Sequence, residues 1–368
     1  MKKALYASLI SLCLVAPTAS ALDWTIEPVG TTGDLGWGTG LGVGADGAVY
    51  AASYQSAGTT FLRTRNPVSN SWGTASNFSG DFNDFAVDHQ GRPHLLYRGA
   101  SGAKLAILDD NGVWQTSNLP ATSATSLSID FDSQNRPHIG YIDTQASTLK
   151  CLSWNGAGWD SRNVVTAAGM GYSNSFGNIA LDNNDALHAI WYDFDANMIK
   201  HRNWNGSSYS TRNVGVGFGA SMEFDAQNNL HLAFNHYYSR DLQHAIFDGS
   251  AWTFDTVDNG NADEGALTLD ASGNPHFVYG VDRAAGPGID KLRYASWDGS
   301  QWACEEIDQW KSDYNGSEEQ SIAIVNNRVH ILYSNDSKNL FYATAYIPEP
   351  ATLMLAALGG IMVLRRRP

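Results

Sequence analysis

Histidine, aspartate and glutamate are the residues through which this sequence could do metal or acid–base chemistry. In five repeated segments a histidine stands six positions after an aspartate: Asp88 and His94, Asp132 and His138, Asp182 and His188, Asp225 and His231, Asp270 and His276. A metal centre draws three or four such ligands to one point. One Asp and one His per repeat disperses them instead, so the spacing predicts turn chemistry, with the Asp capping turn amides and the His opening the next strand. No metal and no other cofactor is expected. Hydrolysis needs two carboxylates facing each other across a cleft. Glu305 and Glu306 share one strand and Glu318 and Glu319 one loop, and no nucleophile elbow or phosphate loop is present, so no catalytic residue is legible.

The residues best suited to a ligand are aromatic side chains beside acids in the segments that differ most between repeats. They are Tyr172, Tyr237, Tyr238, Trp310 and Tyr314, with Asp193 and Asp195. Rings stack on sugar faces, and carboxylates accept sugar hydroxyls. The segment from Asp308 to Gln320 is long and carries Trp310 and Tyr314, so Trp310 is expected to stack a sugar. Asp193-Phe194-Asp195-Ala196-Asn197 lacks the glycine and terminal glutamate of a calcium loop.

The elements that must position these residues are repeats. Tyr50, His94, His138, His188, His231, His276 and His330 recur at steps of 43 to 54 residues. In the complete copies an alternating strand such as Ser128-Ile129-Asp130-Phe131 precedes the histidine, and a turn such as Gln90-Gly91-Arg92-Pro93 joins the two. Later in each copy come hairpin signatures: Trp154-Asn155-Gly156-Ala157-Gly158-Trp159, Trp204-Asn205-Gly206, Phe247-Asp248-Gly249 and Trp297-Asp298-Gly299. Asn-Gly or Asp-Gly between aromatic strand ends is a strong hairpin signal. Four antiparallel strands per repeat of about 46 residues make the blade of a β-propeller. The fold predicted for residues 22–346 is therefore all-β: a seven-bladed propeller with four antiparallel strands per blade.

The last copy ends at Tyr346 in its third strand. Trp24-Thr25-Ile26-Glu27-Pro28-Val29 resembles the fourth strand Trp252-Thr253-Phe254-Asp255-Thr256-Val257. The N-terminal strand is expected to complete the last blade and close the ring. Composition agrees: aromatics are 11%, charged residues only 16%, and glycines number 36, a turn-rich strand composition. A net charge of −14 excludes a nucleic-acid partner, which needs a basic surface. Cys151 and Cys304 fall in distant blades, so both thiols are expected to be free.

The ends read as addresses. Lys2 and Lys3, the apolar stretch Ala4 to Val15 and Ala19-Ser20-Ala21 form a secretory signal peptide over residues 1–21, giving a mature start at Leu22. The C-terminus, residues 347–368, carries Pro348-Glu349-Pro350, an apolar run from Ala351 to Leu364 with Gly359-Gly360, and Arg365-Arg366-Arg367. It closely resembles the PEP-CTERM sorting signal of Gram-negative bacteria. That resemblance implies recognition by an exosortase, a short membrane-spanning tail before processing, and delivery to the cell surface, outer membrane or extracellular matrix. The body, through Asp-x-x-Gly-x-Pro-His followed by aliphatics and Tyr, resembles extracellular propellers with sialidase-like or BNR-like repeats. Together these lead to an exported, non-catalytic propeller that binds an extracellular polysaccharide or a surface protein. The competing reading is a secreted carbohydrate-active hydrolase or lyase.

Overall fold

The computed structural model describes residues 21–30, 35–55, 58–166, 177–281, 291–309, 320–335 and 339–348. They form seven four-stranded antiparallel sheets arranged as a propeller, with no helix among the described residues. Blades 1 to 6 span residues 35–79, 81–118, 124–166, 177–215, 217–258 and 262–309. Within each, strands a to d run in chain order from the axis outwards. Blade 7 takes strands a, b and c from Ser321–Val325, Arg328–Ser334 and Leu340–Tyr346, and its outer strand d from Thr25–Gly30. Thr25 faces Thr344, Ile26 faces Ala343 and Glu27 faces Tyr342, so the N-terminal strand closes the ring as the sequence predicts. Ser321 Oγ, which donates to the Thr39 carbonyl at 2.9 Å, ties blade 7 to blade 1 at the axis.

Alternation sends every second side chain of a strand to each sheet face, so each pair of neighbouring blades shares one apolar cluster. The seam between blades 6 and 7 holds Val278, Leu292, Tyr294, Val329, Ile331, Tyr333 and Ala343. The glycine-rich inner strand of blade 1, Leu35–Val43, has a packing reason. A Cβ on Gly42 would stand 2.6 Å from both Phe85 and Val87 of blade 2. Inner strands also expose edge amides toward the axis, a liability that a sheet must cover. Side chains of the preceding blade do so: Asp84 accepts the Ile129 amide at 2.9 Å, Ser128 the Ile179 amide at 3.1 Å, and Asp130 the Leu181 amide at 2.6 Å.

The repeated Asp and His lie where strands a and b turn. Asp88 Oδ1 accepts the amides of Gln90 and Arg92, each at 2.9 Å, while Oδ2 meets His94 Nε2 at 3.1 Å. Asp132, Asp225 and Asp270 repeat the arrangement with His138, His231 and His276, and Asp182 stands 3.8 Å from His188. The third residue after each Asp is left-handed (Gly91, Asn135, Asp185, Asn228 and Gly273), which is why Gly, Asn and Asp recur there. Where that residue is Asn, its side chain reaches the turn of the preceding blade. Asn135 accepts the His89 amide at 2.9 Å and donates to Asp88 Oδ2 at 3.1 Å. Burial raises the Asp88 pKa, but these donors outweigh it and hold the carboxyl at about 2. The motif stitches blade to blade.

Cys151 is buried in blade 3 and Cys304 half-buried in blade 6, and both are free thiols. Thiol labelling of residues 22–347, denatured without reductant, is expected to count two. A 151–304 linkage would overturn the blade assignment.

Candidate functional site

Turns between strands a and b, and hairpins between c and d, lie on one face of the ring, here the turn face. Connections between b and c, and from d to the next blade, lie on the opposite loop face. On the loop face, blades 4 and 5 carry equivalent b–c turns. In blade 4 strand b, Leu187–Asp193, ends in Asp193, whose Oδ1 accepts the amides of Asp195 and Ala196 at 3.1 Å each. Lys200 Nζ pairs with Asp193 Oδ2 at 2.5 Å, and Asn197 closes the turn at φ 48°. The Lys200 ammonium outweighs burial, which acts the other way, and sets the Asp193 carboxyl below its ordinary range. In blade 5 strand b ends in His236, which plays the same part. Its Nδ1 accepts the Ser239 amide at 3.2 Å, and Arg240 takes the left-handed position at φ 54°.

These two turns bring an aromatic group together. Tyr192 and Phe194 pack edge to face at 4.6 Å, and Tyr237 and Tyr238 at 5.2 Å. Phe218, on the inner strand of blade 5, meets Tyr237 at 6.3 Å and carries the Arg240 guanidinium 5.7 Å above its ring. The Tyr192 hydroxyl donates to Asn197 at 2.9 Å. Blades 4 and 5 share one apolar cluster, which includes Ile190 and Leu232, and burial, followed by Tyr237, Tyr238 and Asp193, pushes the Tyr192 pKa up. Tyr237 is 43% exposed and Tyr238 75%. An apolar ring left in water on a folded surface, supported from below by other rings, is the usual make-up of a contact surface.

Of the residues singled out from sequence, Tyr237 and Tyr238 thus share one step, with Asp193 and Asp195 on the adjoining turn. Asp193 is engaged by its own turn and by Lys200, whereas Asp195 is exposed. Tyr172, Trp310 and Tyr314 lie outside the described residues. So do Glu349, Pro350 and the arginines Arg365, Arg366 and Arg367 of the tail, of which only Pro348 is described. Among the described residues no helix is long and apolar enough to cross a membrane, and the expected span Ala351 to Leu364 lies outside them. No group of three metal-ligating side chains converges among the described residues.

Phe218 was legible as a loop-face aromatic, whereas Tyr192 and Phe194 were legible only as aromatics at a strand end. The sequence reading also missed three axial carboxyls. Asp84, Asp130 and Glu223 stand on the inner strands of blades 2, 3 and 5, each accepting an amide from the inner strand of the next blade. Desolvation raises all three, Asp84 to about 6 and Glu223 to about 7, and the negative field of Asp130 pushes Asp84 and Glu223 further the same way. A signal existed: each is the lone acid at an inward position of an alternating strand.

Among solved structures, the fold is similar to a catalytically inactive variant of virginiamycin B lyase from Staphylococcus aureus with quinupristin. The TM-score is 0.60 at 12% identity, covering 88% of this chain and 99% of that one. It is similar to a mutant of AofleA from Arthrobotrys oligospora, with TM-score 0.52 and 11% identity over 77% of this chain and 90% of that one. The polysaccharide lyase Uly1 follows with TM-score 0.51 and 9% identity over 84% and 90%. At such identities the likeness is one of fold. No curated protein matches the chain in sequence. The profile of the PEP-CTERM protein-sorting motif matches residues 347–367, so this seven-bladed propeller carries at its C-terminus the motif that implies export and exosortase processing.

Proposed function

We propose that the protein is a non-catalytic, surface-held propeller that binds an extracellular glycan or a surface protein through its loop face. The observation that carries this reading is Tyr238, 75% exposed on an aromatic step with Tyr237 and Phe218. The placement of the tail supports it. Tyr346 pairs with Arg328, the first residue of strand b, so the chain leaves blade 7 on the turn face. While the tail holds the protein at a membrane, the turn face is the nearer one and the aromatic step points outward. The mature protein begins at Leu22, and Trp310 and Tyr314, outside the described residues, are further ligand-binding candidates by sequence.

A glycan array probed with residues 22–347 tests the reading. On any hit, stacking of one sugar on Tyr238 contributes about 1–2 kcal/mol, so Tyr238→Ala is expected to weaken binding about tenfold. Because the ring is exposed, the melting temperature should stay put. Unchanged affinity would remove the step from the binding surface.

A hydrolase or lyase is the second reading, and its candidate acids are the axial carboxyls of Glu223 and Asp84, each accepting an amide of the next blade. Burial raises them to about 7 and about 6, toward the range useful for acid–base catalysis. Release of reducing or unsaturated sugar that Glu223→Gln abolishes and Tyr238→Ala leaves intact would establish it over binding alone.

A further inference from the structure

We propose that processing after Ala21 creates a structural contact: the new α-ammonium of Leu22 is received by the Glu305 carboxylate and completes the seam between blades 6 and 7. This rests on the signal-peptide part of the export reading. Hydrolysis of the Ala21–Leu22 amide by a signal endopeptidase takes one water. The hydroxyl goes to the Ala21 carbonyl carbon and the hydrogen to the Leu22 nitrogen. That amine is protonated at pH 7, since a free α-amino group titrates near 8.

The receiving geometry is already in place. Leu22 N stands 2.9 Å from Glu305 Oε2, and Trp24 Nε1 donates to Glu305 Oε1 at 3.0 Å. Leu22, Trp24 and Ile347 all pack on the cluster around Tyr294 and Tyr333, with the Trp24 and Tyr294 rings edge to face at 5.3 Å. Ala21 is exposed, so the junction is open to a peptidase. Both termini of the body therefore meet on one seam, where blades 2 to 6 have an Asn-Gly or Asp-Gly hairpin.

The adjoining seam shows what Glu305 lacks. Glu27, facing Tyr342 as Glu305 faces Tyr294, accepts Trp72 Nε1 at 2.9 Å and pairs with Arg65 Nε at 2.6 Å. Trp72 packs on Tyr342 at 5.6 Å, as Trp24 does on Tyr294. Glu305 has the tryptophan but no arginine or lysine pairs with it among the described residues. Arg65 shares Glu27 Oε1 with Trp72, whereas the nitrogen of Leu22 takes the Glu305 oxygen that Trp24 leaves, Oε2. In the precursor that nitrogen is a neutral amide donor. After cleavage it is a cation, and a half-buried carboxylate gains its counter-charge.

A two-by-two comparison tests this on residues 22–347, which hold all seven sheets. One protein is cut from a fusion flush with Leu22, and its twin has the same N-terminus acetylated. Each is made with the native Glu305 and as the Glu305→Gln variant. With Glu305 in place, the free amine is expected to raise the melting temperature over the acetylated twin by about 2–4 °C. In the Glu305→Gln pair the two ends should melt alike. An equal effect of acetylation in both backgrounds, or none in either, overturns the contact. Mass spectrometry of the exported protein is expected to find Leu22 first. A different first residue overturns the junction, and an unprocessed N-terminus overturns the export reading, while the melting comparison judges the contact separately.

Discussion

Deleting residues 23–29 is expected to lower the melting temperature of the body by about 10 °C or more and to make it aggregate. The strand supplies the outer edge of blade 7 through its pairing with Phe341 to Thr344. Its loss uncovers the pocket of Val29, which is 1% exposed, and strips the Trp24 ring from Tyr294. Burying side chains of that size contributes about 1.5–3 kcal/mol each. The deletion also deprives Arg65 and Trp72 of Glu27. Against a total stability of about 5–15 kcal/mol these losses are large, and the unpaired edge of strand c is a template for association. A circular permutant separates closure from mere truncation. Joining Ala345 to Trp24 through Asn-Gly-Ala-Gly, the link between Trp154 and Trp159 in blade 3, and opening the chain at Asn205-Gly206 keeps all 28 strands. It should melt within a few degrees of the parent. An unchanged melting temperature for the deletion would mean blade 7 stands without its fourth strand.

The ring was readable because the sequence repeats both hairpins of a blade, and because its two incomplete ends complement each other. Trp24 and Trp252 occupy equivalent places, with Thr25 opposite Thr344 and Thr253 opposite Ile246, each of which pairs in turn with the strand-b histidine. The Asp-to-His spacing was readable as turn chemistry because it recurs once in each of blades 2 to 6. The binding face was readable only in part. Tyr237 and Tyr238 announce themselves as adjacent aromatics at a strand end. Their partners do not: Phe218 comes from an inner strand and Tyr192 from the neighbouring blade, and only the packing of blade 5 on blade 4 sets them near one another. The axial carboxyls escaped for the same reason. Asp130 looks like any polar residue of an alternating strand until the next blade presents the Leu181 amide to it.

Those carboxyls and the buried histidines set opposite pH dependences, and Glu223→Gln isolates one of them. Glu223 is raised in the folded protein from 4.5 to about 7. Its protonated form is therefore favoured by folding, and the stability this contributes is complete below pH 4.5 and lost as pH rises through 7. The difference corresponds to at most about 3 kcal/mol, less whatever solvent screening removes. Glutamine carries no charge at any pH and can still accept the Leu269 amide, so Glu223→Gln should melt a few degrees above the parent at pH 8. The gap should close by pH 5. The histidines act in the other direction. Burial lowers His188 and His330 from 6.5 to about 4 and His201 and His244 to about 3. His188 Nδ1 meets His201 Nε2 at 2.9 Å, and His231 Nδ1 meets His244 Nε2 at 3.0 Å, pairs in which one ring must stay neutral to accept the other's N–H. Their stability is present above pH 6.5 and lost as pH falls toward 4 and 3. Parent and Glu223→Gln should therefore share a steep acid limb below about pH 5 and differ only on the alkaline side. Parallel melting profiles across pH 5 to 8 would show that Glu223 is already ionised in the folded ring and that the axial field is weaker than its neighbours imply.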